Sequence, residues 1–107
     1  MTSEQAYTDN DEQMRQGLKV FGDAWNLAIV SSLAAEMGQR FNELQRSLGD
    51  ISPTTLTERL KRLEQYGLIV QEKRTVDKLS VIYSLTEKGK IMVPILGEIE
   101  AFAKKYL

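Results

Sequence analysis

ISPTTLTERLKRLEQYGLI, residues 51–69, has both ends of a helix written into it. Ser52 is a strong N-cap, because its hydroxyl can accept from a free N–H of the first turn. Pro53 suits the first helical position, where its missing N–H costs nothing. Gly67 closes the run, so the spacing predicts a helix over 52–66. Advancing about 100° per residue from Leu56 brings Leu60 and Leu63 back to within about 40° of it. These leucines predict a buried seam. Thr54, Glu58, Lys61 and Gln65 then fall on the far side, Thr55 and Arg62 flank it, and Arg59 lies nearer the seam. The outward face presents hydroxyls first and cations after them. That order suits a duplex: threonines can meet bases or phosphates, and Arg and Lys can neutralise phosphate or reach guanine. Ser-Pro-Thr-Thr is equally a good helix start with no further role, and Glu58 would repel phosphate unless it accepts from cytosine or pairs with Arg62.

The flanking segments give that helix a setting. On the N-terminal side, Asp11–Val20 is a short helix candidate ending near Gly22. Asp23 caps a helix from Ala24 to about Met37, with Trp25, Ala28, Ile29, Leu33 and Met37 at helical spacing and Gly38 as a left-handed stop. Phe41–Leu48 reads as a short helix buried on one side through Phe41, Leu44 and Leu48. On the C-terminal side, 68–74 and 79–85 read as two strands of a hairpin around the polar turn TVDK, with Val81, Tyr83 and Leu85 alternating. Thr86 caps a last helix over 87–106 with the stripe Met92, Ile95/Leu96, Ile99, Phe102/Ala103, Tyr106. Pro94 should kink or divide it. Two helices joined by a tight turn and followed by a hairpin describe a winged helix-turn-helix. The expected fold is mostly α with a small β-hairpin (α+β). Residues 1–9 are expected to form a disordered tail and 10–107 one domain, with reading helix 52–66, wing 68–85 and terminal helix 87–106.

Composition narrows the chemistry. The chain of 107 residues has no cysteine and no histidine. Disulfides, thiolate metal sites, cysteine nucleophiles, imidazole–zinc sites and Ser-His-Asp triads are therefore closed to it. No paired carboxylates and no Gly-rich phosphate loop stand out, so the reading is a non-enzyme with no cofactor and no metal. Net charge is −1, but residues 1–38 hold two basic and six acidic side chains whereas 39–90 hold ten basic and seven acidic. The positive excess coincides with the reading helix and the wing. Around the hairpin tip stand Gln71, Lys73, Arg74 and Lys78, a cationic end suited to a minor groove or its phosphates, or alternatively to keeping a strand edge from pairing. The polar, acidic start MTSEQAYTDNDEQ is unlike a secretory signal, and no window spans a bilayer; a cytoplasmic location with no membrane contact is expected.

These residues together resemble the HxlR-type regulators, a branch of the MarR-related winged-helix transcription factors. The resemblance rests on Gly22-Asp23-Ala24-Trp25, the run Gly38–Leu44, the run Ile51–Leu60, Leu63–Ile69 and Tyr83–Gly89, and covers about residues 20–100. It implies a DNA-binding homodimer built by N- and C-terminal helices on a two-fold operator; such regulators commonly repress nearby genes, and some activate. Ser52, Pro53, Thr54, Thr55 and Arg59 fall on the recognition motif, Lys73, Arg74 and Lys78 on the wing, and Arg40 just before the positioning helix. With Glu58 and Arg62 from the outward face, these form the expected DNA-binding set. Ile95, Leu96, Ile99, Phe102 and Tyr106 form the expected dimer interface. The family often has Lys where this chain has Ala24, and many members sense thiol-reactive compounds through an N-terminal cysteine that this chain lacks. Trp25 reads as core. An unknown small-molecule effector has candidate lining in Met14, Phe21, Met37 and Met92, residues that equally suit a core. The competing reading is a winged-helix module for protein–protein contacts without direct DNA readout.

Overall fold

The computed structural model describes residues 11–74 and 80–107, apart from the side chain of Arg74. The expected tail 1–9, the TVDK turn and Lys78 lie outside the described residues. Among the described residues, six helices and one hairpin follow in the order α1 (Glu12–Phe21), α2 (Ala24–Ala35), α3 (Phe41–Ser47), α4 (Pro53–Gln65), β1 (Ile69–Arg74), β2 (Ser80–Leu85), α5 (Glu87–Lys90) and α6 (Met92–Tyr106). The fold is mostly helical with a two-stranded antiparallel hairpin in which Ile69 pairs with Leu85 and Lys73 with Val81.

The centre is α2. Its sequence AWNLAIVSSLAA is apolar nearly all round, the pattern of a helix enclosed by others. It meets α1, α3, α4, α6 and β2. Ile29, Val30 and Leu33 are fully buried with Leu44 of α3 and Leu56, Leu60 and Leu63 of α4 in one core cluster. Trp25 is half-buried against the same cluster, in keeping with its reading as core. Asp23 caps α2 by accepting from the Asn26 N–H at 3.1 Å. Asn26 is itself buried and its amide donates to the Val20 carbonyl at 3.3 Å, which ties the end of α1 to the start of α2.

Three elements depart from their sequence expectation, each for a local reason. Helix α2 stops at Ala35 rather than Met37, and Glu36 is extended. Gly38 does adopt a positive φ of 79°, yet it does not close the helix. The buried Gln39 does so instead: its amide donates to the carbonyls of Ser32 and Glu36, both at 2.8 Å. The Ser32 carbonyl also accepts from the Glu36 N–H at 3.0 Å, so Gln39 adds a second bond there and gives the Glu36 carbonyl, past the helix end, a donor. The backbone of Gln39 also pairs with Tyr83 in both directions, at 3.0 and 2.8 Å, adding a one-residue third strand beside β2. Tyr83 and Leu85 pack on the helical core as their alternation predicts, but Ile82, on the other face, is buried too. The segment before Gln39 crosses that face, and the Ile82 side chain sits against Gly38. The third difference is the last helix, which divides at Ile91, three residues before Pro94. A proline ring collides with the carbonyl four residues back, here Lys90, so the break falls there and Pro94 occupies the first turn of α6, where no N–H is needed.

The sequence LTEKG explains how α4 meets the hairpin. Thr86 caps α5 by accepting from the Gly89 N–H at 3.0 Å and donates its own proton to the Gly67 carbonyl at 2.7 Å. Lys88 Nζ donates to the Tyr66 carbonyl at 2.7 Å. The two carbonyls just past the end of α4 are thus held by the element that follows the wing. Gly89 is buried where α5 passes the backbone of Leu68, and a Cβ there would collide with the Leu68 carbonyl. Gly89→Ala should therefore cost about 1–3 kcal/mol of folding stability, the range for forcing atoms into a filled site. Urea unfolding of the two proteins checks this; equal midpoints would show that α5 can back away from β1.

Candidate nucleic-acid interface

Helix α4 shows the division its leucines predict. Leu56, Leu60 and Leu63 are buried, whereas Thr54, Thr57, Glu58, Lys61, Arg62 and Gln65 are exposed. Both helix ends are pinned. At the start, Ser52 Oγ accepts from the Thr55 N–H at 3.1 Å and lies 2.9 Å from Thr55 Oγ1, to which it can donate. One first-turn N–H is thereby taken by the protein itself, and Thr55 is half-buried beside it. Pro53 and Thr54 stand open at the same end. At the other end Gly67, with φ of 74°, turns the chain into β1.

The expected cations do not all occupy equivalent places. Arg62 and Lys61 are exposed along α4, Lys73 is exposed on β1, and Arg40 is exposed at the N-cap of α3. Glu43 accepts from the Arg40 N–H at 2.8 Å, which fixes the backbone there and leaves the guanidinium outside the cap; arginine has no acceptor with which to complete a reciprocal box. The Arg74 and Lys78 side chains lie outside the described residues. Arg59 is different. Its side chain is only 19% exposed, and Nε donates to Asp23 Oδ2 at 2.9 Å. The acid in the set, Glu58, is 61% exposed and lies 3.6 Å from Arg59 Nη1; its neighbour is therefore Arg59 and not Arg62. Helical phase placed Arg59 near the seam, but its partner is 36 residues away on another helix, and no local pattern names it.

Between α3, α4 and the hairpin runs a groove lined by Phe41, Thr57, Leu60, Lys61, Glu64, Gln71 and Tyr83. Burial pushes the Tyr83 phenol above its ordinary value of 10.0, and the Glu64 carboxylate pushes it the same way. A separate cleft of about 270 Å³ lies between α1, the end of α4 and the start of α6. Val20, Phe21, Tyr66, Leu68 and Met92 line it, with Gln16 and Lys88 beside them. Of the four residues considered for an effector, Phe21 and Met92 reach this cleft. Met14 is exposed on α1, and Met37 Sδ lies 3.2 Å from the Leu85 N–H.

The residues expected at a dimer interface split along α6. Leu96 is half-buried against the core, while Ile95, Ile99, Phe102 and Tyr106 are 45%, 48%, 58% and 64% exposed. Phe102 and Tyr106 stack with ring centroids 5.1 Å apart. Among the described residues no helix is long and apolar enough to cross a membrane.

A helix pair that sets a polar, cationic helix outward, followed by a hairpin with an exposed lysine, defines a winged helix-turn-helix protein. Residues 20–107 match the HxlR-like helix-turn-helix family, and the chain belongs to it. Its relatives include the uncharacterized HTH-type transcriptional regulator YvaP of Bacillus subtilis, 34% identical over 95 residues that cover 89% of this chain and 87% of that protein. Among solved structures, reduced YodB of B. subtilis superposes with a TM-score of 0.82 at 32% identity, covering 89% of this chain and 92% of that one. A MarR-family transcriptional regulator of Porphyromonas gingivalis W83 superposes with a TM-score of 0.81 at 31% identity, covering 94% and 97%. The chain is thus a transcriptional regulator of the helix-turn-helix type, and its family implies DNA binding.

The Tyr83 shift has a definite sign. The fold holds the neutral phenol more tightly than the unfolded chain does, so the stabilisation is complete below about pH 10 and declines as pH rises through the folded-state value. Stability measured by urea unfolding from about pH 9 to 11 should fall less in Tyr83→Phe than in the parent; parallel declines would place Tyr83 in open solvent.

Proposed function

We propose that this regulator binds a two-fold symmetric operator as a homodimer, through α4 and the wing, and represses the genes beside it. The observation that carries the reading is the outward face of α4: hydroxyls at its first turn and cations beyond, turned away from a fully buried leucine seam. Thr54 and Thr55 stand where a recognition helix meets base edges, and Ser52 and Pro53 shape that end. Arg62, Lys73, Arg74, Lys78 and Arg40 neutralise phosphate around it, and Glu58 reads as an acceptor for a cytosine amine.

The dimer reading rests on α6. At about 100° per residue, Ile95, Ile99, Phe102 and Tyr106 fall within about 60° of one another, while Leu96 and Ala103 fall to one side, toward α2. Exposed apolar side chains repeated along about three turns fit a second copy of the same helix, related by two-fold symmetry. Met14 and Leu18 on α1 are exposed apolar side chains as well. Such a dimer sets two reading helices about 34 Å apart, or a multiple of it. An effector in the cleft between α1 and α6 would lie between the reading head and the dimer helices, where it can alter that spacing.

Fluorescence anisotropy with the promoter DNA beside the gene, across a salt series, tests the reading. Affinity should fall steeply as salt rises; a module that contacts only proteins would show no such dependence. Thr54→Ala should relax choice at one base pair by about 1 kcal/mol, and Thr54 is a cleaner probe than Thr55, whose hydroxyl also serves the Ser52 cap. Lys73→Ala should weaken every duplex alike and flatten the salt slope by about one unit. Equal effects of both variants on all sequences would contradict these roles.

A chain ending at Gly97 should sediment as a monomer and lose operator affinity on the order of 100-fold, the scale of avidity from two linked sites. A dimer surviving that cut would remove α6 from the interface.

A further inference from the structure

We propose that Asp23 is a positioning residue for DNA recognition: it holds Arg59 on the protein side of α4, which sets the rotation of the reading helix and withholds one cation from phosphate. This rests on the DNA-binding reading above and adds to it a residue outside the recognition helix.

The carboxylate of Asp23 works on two helices at once. Oδ1 accepts from the Asn26 N–H at 3.1 Å and caps α2, while Oδ2 accepts from Arg59 Nε at 2.9 Å. Capping alone does not need the second oxygen, since Asn or Ser caps a helix equally well. The second oxygen serves α4. Both side chains are largely enclosed, at 22% and 19% exposure, so water screens the pair less than it screens a surface pair. Arg59 lies about 60° from Leu56 around the helix, at the edge of the seam. A row of leucines determines which face is buried but yields to small rotations, because apolar contact has no direction. A charge-assisted hydrogen bond at the edge does have direction. Arg59 Nη1 is also 3.6 Å from Glu58 Oε2, so the same guanidinium faces the exposed acid of the reading surface. Released from Asp23, Arg59 would join Lys61 and Arg62 as a third cation on α4, able to bind any phosphate without regard to sequence.

Asp23→Asn separates the two duties, because it keeps the acceptor for Asn26 and removes the charge facing Arg59. Anisotropy with an operator duplex and a scrambled duplex, each over a salt series, should give three results for this variant. Scrambled DNA binds severalfold tighter, its salt slope steepens by about 0.9 for one added phosphate contact, and the operator-to-scrambled ratio falls about tenfold. The double variant Asp23→Asn/Arg59→Gln should return the slope to that of the parent. Equal weakening on both duplexes with unchanged slope would mean a purely structural role and overturn the proposal. The Arg59 Hε resonance, followed by NMR without DNA, decides the lock separately: slow solvent exchange is expected in the parent and fast exchange in Asp23→Asn, and equal exchange overturns it. Should the parent bind no duplex in a salt-dependent way, the DNA-binding reading and the positioning role fall together, while this resonance still reports whether the lock exists.

Discussion

The burial of one face of α4 against α2 is the constraint on which the rest depends. Leu56, Leu60 and Leu63 have essentially no access to water, and neither do Ile29, Val30 and Leu33 of α2 in the same cluster. Fully burying a leucine is worth about 1.5–3 kcal/mol, so three of them far outweigh any polar preference of the remaining positions. Once that face is spent, helical geometry leaves Thr54, Glu58, Lys61 and Gln65 no choice but solvent. The surface that recognises a partner is therefore a by-product of the surface that folds.

A helix fixed along one seam still needs its ends and its azimuth set, and the polar residues do this. Ser52 closes the start. Thr86 and Lys88, from beyond the wing, take the carbonyls of Gly67 and Tyr66 at the finish. Asp23 holds Arg59 at the flank. Each contact is individually modest, about 1 kcal/mol for neutral hydrogen bonds and somewhat more with charge. Their value is directional: they convert a buried stripe into a helix with one position. Gln39 does the same for the turn before α3, joining the end of α2 to β2 through both side chain and backbone.

Electrostatics follows the same economy. An acidic chain is an unlikely duplex binder by net charge, yet phosphate responds to local potential within about a Debye length, roughly 8–10 Å, and not to the sum over the molecule. Acidic residues outnumber basic ones six to two in the first 38 positions, whereas basic residues lead ten to seven in the middle segment. The fold keeps Arg62, Lys61 and Lys73 exposed and turns one arginine inward against an aspartate. The apolar stripe of α6 shares no residue with this polar surface, so the proposed DNA and dimer surfaces do not compete for the same side chains.

Much of this was legible in the chain order. Helix α4 is bounded by Ser52, Pro53 and Gly67, and its leucines recur at three and four; both are local signals, and the structure keeps them to within a residue. The hairpin, the cap at Asp23 and the break caused by Pro94 are local in the same sense, although the break falls at Ile91 because the proline ring acts on the carbonyl four residues behind it. What the tertiary structure decided was every feature whose partner is remote. The end of α2 depends on Gln39 folding back, the burial of Ile82 on the Gly38 segment crossing β2, and the fate of Arg59 on an aspartate 36 residues earlier. Periodicity and capping involve neighbours within one or two helical turns, so the sequence displays them directly. The pairing of one arginine with one carboxylate among fifteen is settled only when packing brings two helices side by side.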